Sequence, residues 1–199
     1  MKRLIFLFST AIIICLVFNV SCKKDNDNDI DSKLRMLDSN DYFPLHPGNS
    51  WHLDFIPERT ISKIENLDGK DYYRLTSEYD TVFYRKSSDG KVFSRTKTTN
   101  EILKFDLNAN VGDTWTYKFD KSNYTWNVTL TSKSEAVELN NYTFHNCYKF
   151  YFDVPQLADE EHIILLAPGV GFVEEVYLGG TSDRIILKQV KISGIEIQF

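Results

Sequence analysis

The sequence predicts an all-β fold: a single antiparallel domain, built as a curved, partly open barrel or as a β-sandwich. Three observations predict it. Apolar and polar residues alternate at period two over run after run from Trp51 onward, the spacing of half-buried strands. Asp68-Gly69 and Asp89-Gly90 fall between such runs, where a hairpin needs the positive φ that glycine accepts. No segment carries a capped apolar stripe at helical spacing.

The N-terminus obeys different rules. Lys2 and Arg3 precede an apolar run from Leu4 to Val20, the layout of a secretory signal, and this run is borderline in length for spanning a bilayer. Small Ser21 stands directly before Cys22, and a charged Asn/Asp-rich stretch follows at once. This ending resembles the lipobox of bacterial lipoproteins, with Asn19 in place of the usual leucine three positions before the cysteine. The resemblance implies that residues 1–21 are removed as a signal peptide and that Cys22 is acylated. Several acyl chains at roughly 0.8 kcal/mol per buried methylene would hold the chain on a membrane.

Cleavage would shorten the chain from 199 to 178 residues, enough for one sizeable core. The formal charge of −5 would become −7 with the loss of Lys2 and Arg3. Phosphate contacts need clustered Lys and Arg, so nucleic acid is not an expected partner. With Cys15 removed and Cys22 lipidated, Cys147 stands alone, and the domain has to be held by its core rather than by a disulfide.

Residues 22–41 read as the acylated cysteine followed by a flexible acidic tether, too charged and too poor in apolar residues to order itself. Within it, Lys24, Asp25 and Asp27 resemble the Lys-plus-acidic export signal of Bacteroidota lipoproteins. That likeness implies an outer-membrane location facing the cell exterior.

The β domain is expected over residues 42–199. Trp51, Leu53 and Phe55 alternate with His52 and Asp54, and Tyr73, Leu75, Ser77 and Tyr79 alternate with Arg74, Thr76 and Glu78. Hairpins are expected from Ile61–Glu65 to Tyr72–Tyr79 and from Val82–Lys86 to Val92–Arg95. Further strands are expected at Ile102–Leu107, Thr114–Phe119, Tyr124–Leu130, Glu135–Leu139, Tyr142–Phe152, His162–Ala167, Gly171–Tyr177 and Arg184–Ile197. One internal echo stands out: Gly48-Asn49-Ser50-Trp51 recurs 64 positions later as Gly112-Asp113-Thr114-Trp115, each opening a strand with Trp and Phe in phase. Two core-anchoring tryptophans, in phase with other apolar residues, explain the echo better than two ligand-stacking ones.

Chemistry is sparse. His46, His52, His145 and His162 lack the paired spacing of zinc ligands, so neither metal nor cofactor is expected. Cys147 shares a strand face with His145 but reads as a small buried hydrophobe. Gly169-Val170-Gly171 leads into a strand rather than a helix, so it is a turn and not a phosphate cradle. Glu174-Glu175 and Asp159-Glu160-Glu161 are expected at solvated edges and loops. Asp80-Thr81-Val82 resembles an O-glycosylation site of Bacteroidota exported proteins.

The Gly-Asn/Asp-Ser/Thr-Trp strands, the segment Phe144-His145-Asn146-Cys147-Tyr148 and the hairpin Ala167-Pro168-Gly169-Val170-Gly171-Phe172-Val173 are together similar to a group of Bacteroidota lipoproteins of unknown function. Related all-β lipoproteins resemble the half-open sheets of LolA-like lipoprotein carriers. The resulting expectation is a non-catalytic binding or assembly module, with the membrane as one partner and a protein, glycan or apolar ligand as the other. The alternative is a carrier holding an apolar ligand in the concave face of the sheet; a hydrolase is the least favoured reading.

Overall fold

The computed structural model describes residues 27–120, 122–140, 142–179 and 183–199. The expected signal segment, Cys22, Lys24 and Asp25 lie outside these residues. A helix, α1 (Asp27–Leu34), precedes β1 (Ser50–Leu53), β2 (Arg59–Leu67), β3 (Lys70–Thr76), β4 (Thr81–Lys86), β5 (Lys91–Arg95), β6 (Ile102–Asp106) and β7 (Thr114–Tyr117). Then follow β8 (Trp126–Leu139), β9 (Tyr142–Asp153), β10 (His162–Ala167), β11 (Gly171–Tyr177), β12 (Asp183–Ile192) and β13 (Ile195–Gln198).

All thirteen strands belong to one antiparallel sheet in the order β6-β5-β4-β3-β2-β1-β12-β11-β10-β9-β8-β7, with β13 added beside β12. The all-β expectation holds, and of its two forms the barrel is the one realised. The barrel is nearly closed: no ladder joins β6 to β7, but Trp115 Nε1 donates to Leu103 O across the seam at 3.1 Å. Asn100 donates to Asp120 from both its backbone and its side chain, at 2.7 Å each, at one end of the same seam.

The echoed segments are structurally equivalent. Gly48 N donates to Ile61 O and Ile61 N returns to Asn49 O, both at 2.8 Å. Likewise Gly112 N donates to Leu130 O at 2.8 Å and Leu130 N to Asp113 O at 3.1 Å. Both glycines have positive φ, 92° and 96°, which explains why each copy needs one. In each half a long hairpin then leaves the barrel wall and lies over its outer face. The β2–β3 tip is fastened by Glu101, which accepts from Lys70, Tyr72 and Arg85 at 2.8 Å each. The β8–β9 tip packs on β12 and β13, with Phe144 meeting Phe199 and Arg184 Nη2 donating to Glu138 O. Residues 171–175 of β11 are consequently buried on both faces, and Cys147 is fully enclosed, as a small hydrophobe would be.

Several expectations are corrected. Residues 22–41 are not wholly a tether, because Asp27 opens α1. Ile30, Leu34 and Leu37, spaced four and three apart, form an apolar stripe that packs on the core. Burial of that stripe outweighs the polar composition on which the flexible reading rested. The runs Tyr124–Leu130 and Glu135–Leu139 are one bulged strand, β8. Arg184–Ile197 is two strands, turned at Ser193-Gly194 with φ 51° and 83°. Phe55 is not in phase with the core: β1 ends at Leu53, Phe55 adopts φ 59° and its side chain is 95% exposed.

The lumen is filled with aromatic side chains. Phe105 meets Phe43, Phe150, Phe152 and Phe172 at centroid distances of 5.6, 4.9, 6.0 and 6.2 Å. Phe43 arrives on the segment between α1 and β1, which crosses one end of the barrel. Gly169 N donates to Asp41 O at 2.9 Å on one side, and Lys86 Nζ pairs with Asp41 at 2.6 Å on the other. That end is therefore plugged. The opposite end carries the connections 54–58, 77–80, 96–101 and 154–161 and, among the described residues, is not crossed by the N-terminal segment.

Candidate binding site at the open end of the barrel

A cavity of about 190 Å³ sinks into the unplugged end between β2, β4, β6, β10 and β11. Arg59, Lys104, His162, Glu175 and Tyr84 line it, with Asp80 and Tyr177 among its wall residues. Arg59 is placed inward because it pairs in register with Trp51 across β1 and β2. Its Nη1 donates to Glu175 Oε1 at 2.7 Å, a pair whose carboxylate side chain is only 6% exposed. Burial opposes the charge on Arg59, but the Glu175 partner outweighs it and holds the guanidinium above its usual pKa.

Lys104 reaches the lumen through a β-bulge. Val92 pairs with Phe105 and Phe93 with Leu103, which leaves Lys104 as the extra residue of β6. Bulges re-aim a side chain in this way, against the alternation of the strand. The Lys104 ammonium lies 4.3 Å from the Phe152 ring centroid and 5.7 Å from that of Tyr117. Among the described residues no carboxylate lies within ion-pair distance of it. Burial pushes its pKa down to about 8, with Glu175 opposing the fall and Arg59 adding to it.

His162 stacks on Phe152 at 4.6 Å and on Tyr177 at 5.6 Å, with Trp126 edge-on at 5.3 Å. Burial first, and then the nearby Lys104 charge, lower its pKa to about 4, so the ring is neutral at physiological pH. Burial likewise pushes Tyr84 up to about 12. The lining thus holds two cations and two carboxylates, but Asp80 is exposed at the rim and Lys104 has no carboxylate beside it.

The rim is apolar. Phe55, Tyr79, Phe119, Tyr124 and Tyr177 are exposed by 95, 80, 41, 42 and 43%, and all five lie at the strand ends or loops of this end. The echo therefore places its two partners apart: Trp51 is 3% exposed and donates to Val170 O at 2.6 Å, while Phe55 and Phe119 face solvent. Trp115 is half-buried and holds the seam.

Of the sequence-derived candidates, His162, Glu175 and Asp80 converge here. Cys147 is enclosed and burial pushes its thiol up to about 12, so it is no nucleophile. Glu174 and Glu175 are not solvated but 7% and 5% exposed, paired with Arg184 on the outer face and Arg59 on the inner one. The burial of Glu174 follows from the β8–β9 hairpin lying outside it, and that of Glu175 from its place in the lumen. Of the proposed export residues only Asp27 is described, as the first residue of α1.

Two solved structures are similar to the chain. One is a protein from Bacteroides fragilis described as exported with a YmcC-like fold: 12% identity, TM-score 0.46, 75% of this chain and 98% of that chain covered. The other is described as a lipoprotein of Parabacteroides distasonis: 13% identity, TM-score 0.41, with the same coverage. No protein-family model and no curated protein matches the chain.

Proposed function

We propose that this chain is an exported lipoprotein, held through acylated Cys22 at the outer membrane and facing the cell exterior, that acts as a non-catalytic binding module. Its ligand enters the open end of the barrel. The observation that carries this reading is the contrast at that end between a charged cavity in which the Lys104 ammonium has no carboxylate beside it and a rim of exposed aromatic side chains. The apolar-carrier alternative loses support from the aromatic filling of the lumen, since the space left is small and lined by ionisable groups.

Anchoring is tested by fractionation. Cys22→Ser is expected to free the chain from membranes or to leave an uncleaved precursor, and a cleaved variant that still pellets like the wild type would defeat the anchor. Replacing Lys24, Asp25 and Asp27 with Ala is expected to abolish protease accessibility on intact cells while lipidation persists. Binding is tested by hydrogen exchange of the full chain with a panel of neutral and acidic monosaccharides and aromatic acids. Protection is expected in the open-end connections 77–80 and 154–161. Protection confined to the plugged end, or none from any member of the panel, would refute the assignment of the mouth.

A further inference from the structure

We infer that the open-end cavity takes a ring-bearing monocarboxylate, its carboxylate seated between Lys104 and Arg59 and its ring against Tyr177. This rests on the assignment of the mouth as the binding site and names the chemistry of its ligand.

Charge comes first. The cavity lining carries Arg59, Lys104, Glu175 and Asp80; the Arg59–Glu175 pair at 2.7 Å is already satisfied, and Asp80 is exposed at the rim. Lys104 has no such partner: aromatic faces, not a carboxylate, surround its ammonium. A buried ammonium without an anion beside it is unfavourable, and a ligand carboxylate supplies that partner. A second negative charge on the ligand would be repelled by Glu175 and Asp80. Geometry agrees, because the Arg59 guanidinium has five N–H donors and Glu175 accepts from one, which leaves donors for a second carboxylate.

The body of the ligand follows from the wall. His162 is stacked between Phe152 and Tyr177, so its ring offers an edge, while Tyr177, 43% exposed, and the 80%-exposed Tyr79 of the adjoining connection offer flat faces at the rim. Flat aromatic faces suit an aromatic or pyranose ring. A cavity of about 190 Å³ admits one such ring, below the roughly 300 to 1,000 Å³ of pockets that enclose drug-sized molecules. A larger glycan or peptide would insert only its acidic terminal ring.

The test titrates the full chain, in neutral detergent, by calorimetry with two matched pairs: glucuronate against glucose and benzoate against benzamide. At least one acid is expected to bind tenfold or more tighter than its neutral counterpart. Lys104→Met is expected to erase that preference and Lys104→Arg to retain most of it. Which pair shows the preference distinguishes a sugar acid from an aromatic acid. Equal binding of acid and neutral probe, or a preference that survives Lys104→Met, overturns the carboxylate inference while leaving the mouth a binding site. Failure of all four probes to bind also overturns it.

Discussion

The two ends of the barrel are built from opposite kinds of residue. At the plugged end the Ser193-Gly194 turn is tight, with φ > 0 at both positions, as short hairpins require. The segment carrying buried Phe43 crosses the lumen there, and Asp41 is tied to both walls. At the open end the connections are longer, the large exposed aromatics collect, and the charged side chains of the floor are incompletely matched. The crossing segment that plugs the lumen lies at one end and the binding site we propose at the other. A barrel can carry a poorly compensated site because the rest of its core does not depend on that site.

The plugged side is where damage should be greatest. Trp51 is 3% exposed, sits edge-on to Phe172 at 6.1 Å and donates to Val170 O, beside Gly171, whose φ of 85° suits glycine. Trp51→Ala is expected to cost about 3 to 5 kcal/mol in denaturant unfolding. Trp115→Ala, half-buried at the seam, is expected to cost roughly half as much by the same reasoning. Equal losses would show that the seam matters as much as the plug.

A smaller effect is expected from the neutral histidine at the mouth. His162 has a folded pKa near 4 against an ordinary value of 6.5, so between these values the unfolded chain binds the extra proton. Stability should therefore be complete above pH 6.5 and fall as the pH drops toward 4, by at most about 3 kcal/mol. His162→Phe keeps the stacking on Phe152 and Tyr177 but cannot titrate. If its unfolding free energy declines over that range as steeply as the wild type's, the histidine is not the cause.

Those two regions also differ in how legible they were. The plug side follows simple rules: Trp51 and Leu53 keep phase, and the Gly-polar-polar-Trp echo reports two equivalent strand starts. The mouth does not, because bulges break the alternation on which the reading depends. Lys104 reads as an ordinary polar position of β6 until the bulge opposite Val92 and Phe93 turns it inward. In β11, a bulge between Phe172 and Glu174 sets the phase that sends Glu174 outward to Arg184 and Glu175 inward to Arg59. The signal that was available is Lys104 itself, a lone charge between Leu103 and Phe105 in an otherwise apolar stretch. Helix α1 was missed because three apolar residues among many charges make a stripe only when a core stands ready to receive them.

Removing the unmatched charge should help the fold. Lys104→Met keeps the length and apolar stem of the side chain and deletes an ammonium that burial disfavours, so it is expected to raise stability by about 1 kcal/mol. The gain stays at that level because the side chain keeps some contact with solvent in the cavity. A gain in melting temperature accompanied by loss of acid binding would place Lys104 among residues kept for recognition at a cost in stability. A loss of stability instead would mean that the cation–π contacts with Phe152 and Tyr117 outweigh desolvation.

The smallest stability effects belong to the rim. Phe55 and Tyr79 are 95% and 80% exposed, so their side chains gain almost nothing from the core. Phe55 also adopts φ 59°, a conformation that bulky residues occupy at some strain, so Phe55→Asn should be neutral or slightly stabilising. Surface replacements of this kind fall within about 0.5 kcal/mol in thermal unfolding. Nothing in the fold calls for large apolar groups at these two places, whereas a ligand that spreads beyond the cavity would use them. Phe55→Asn combined with Tyr79→Ser is therefore expected to leave the melting temperature unchanged while weakening calorimetric binding of longer acidic oligosaccharides more than that of glucuronate alone. Equal weakening of the short and the long ligand would confine recognition to the cavity, and a fall in melting temperature would return the rim to the structural side of the comparison.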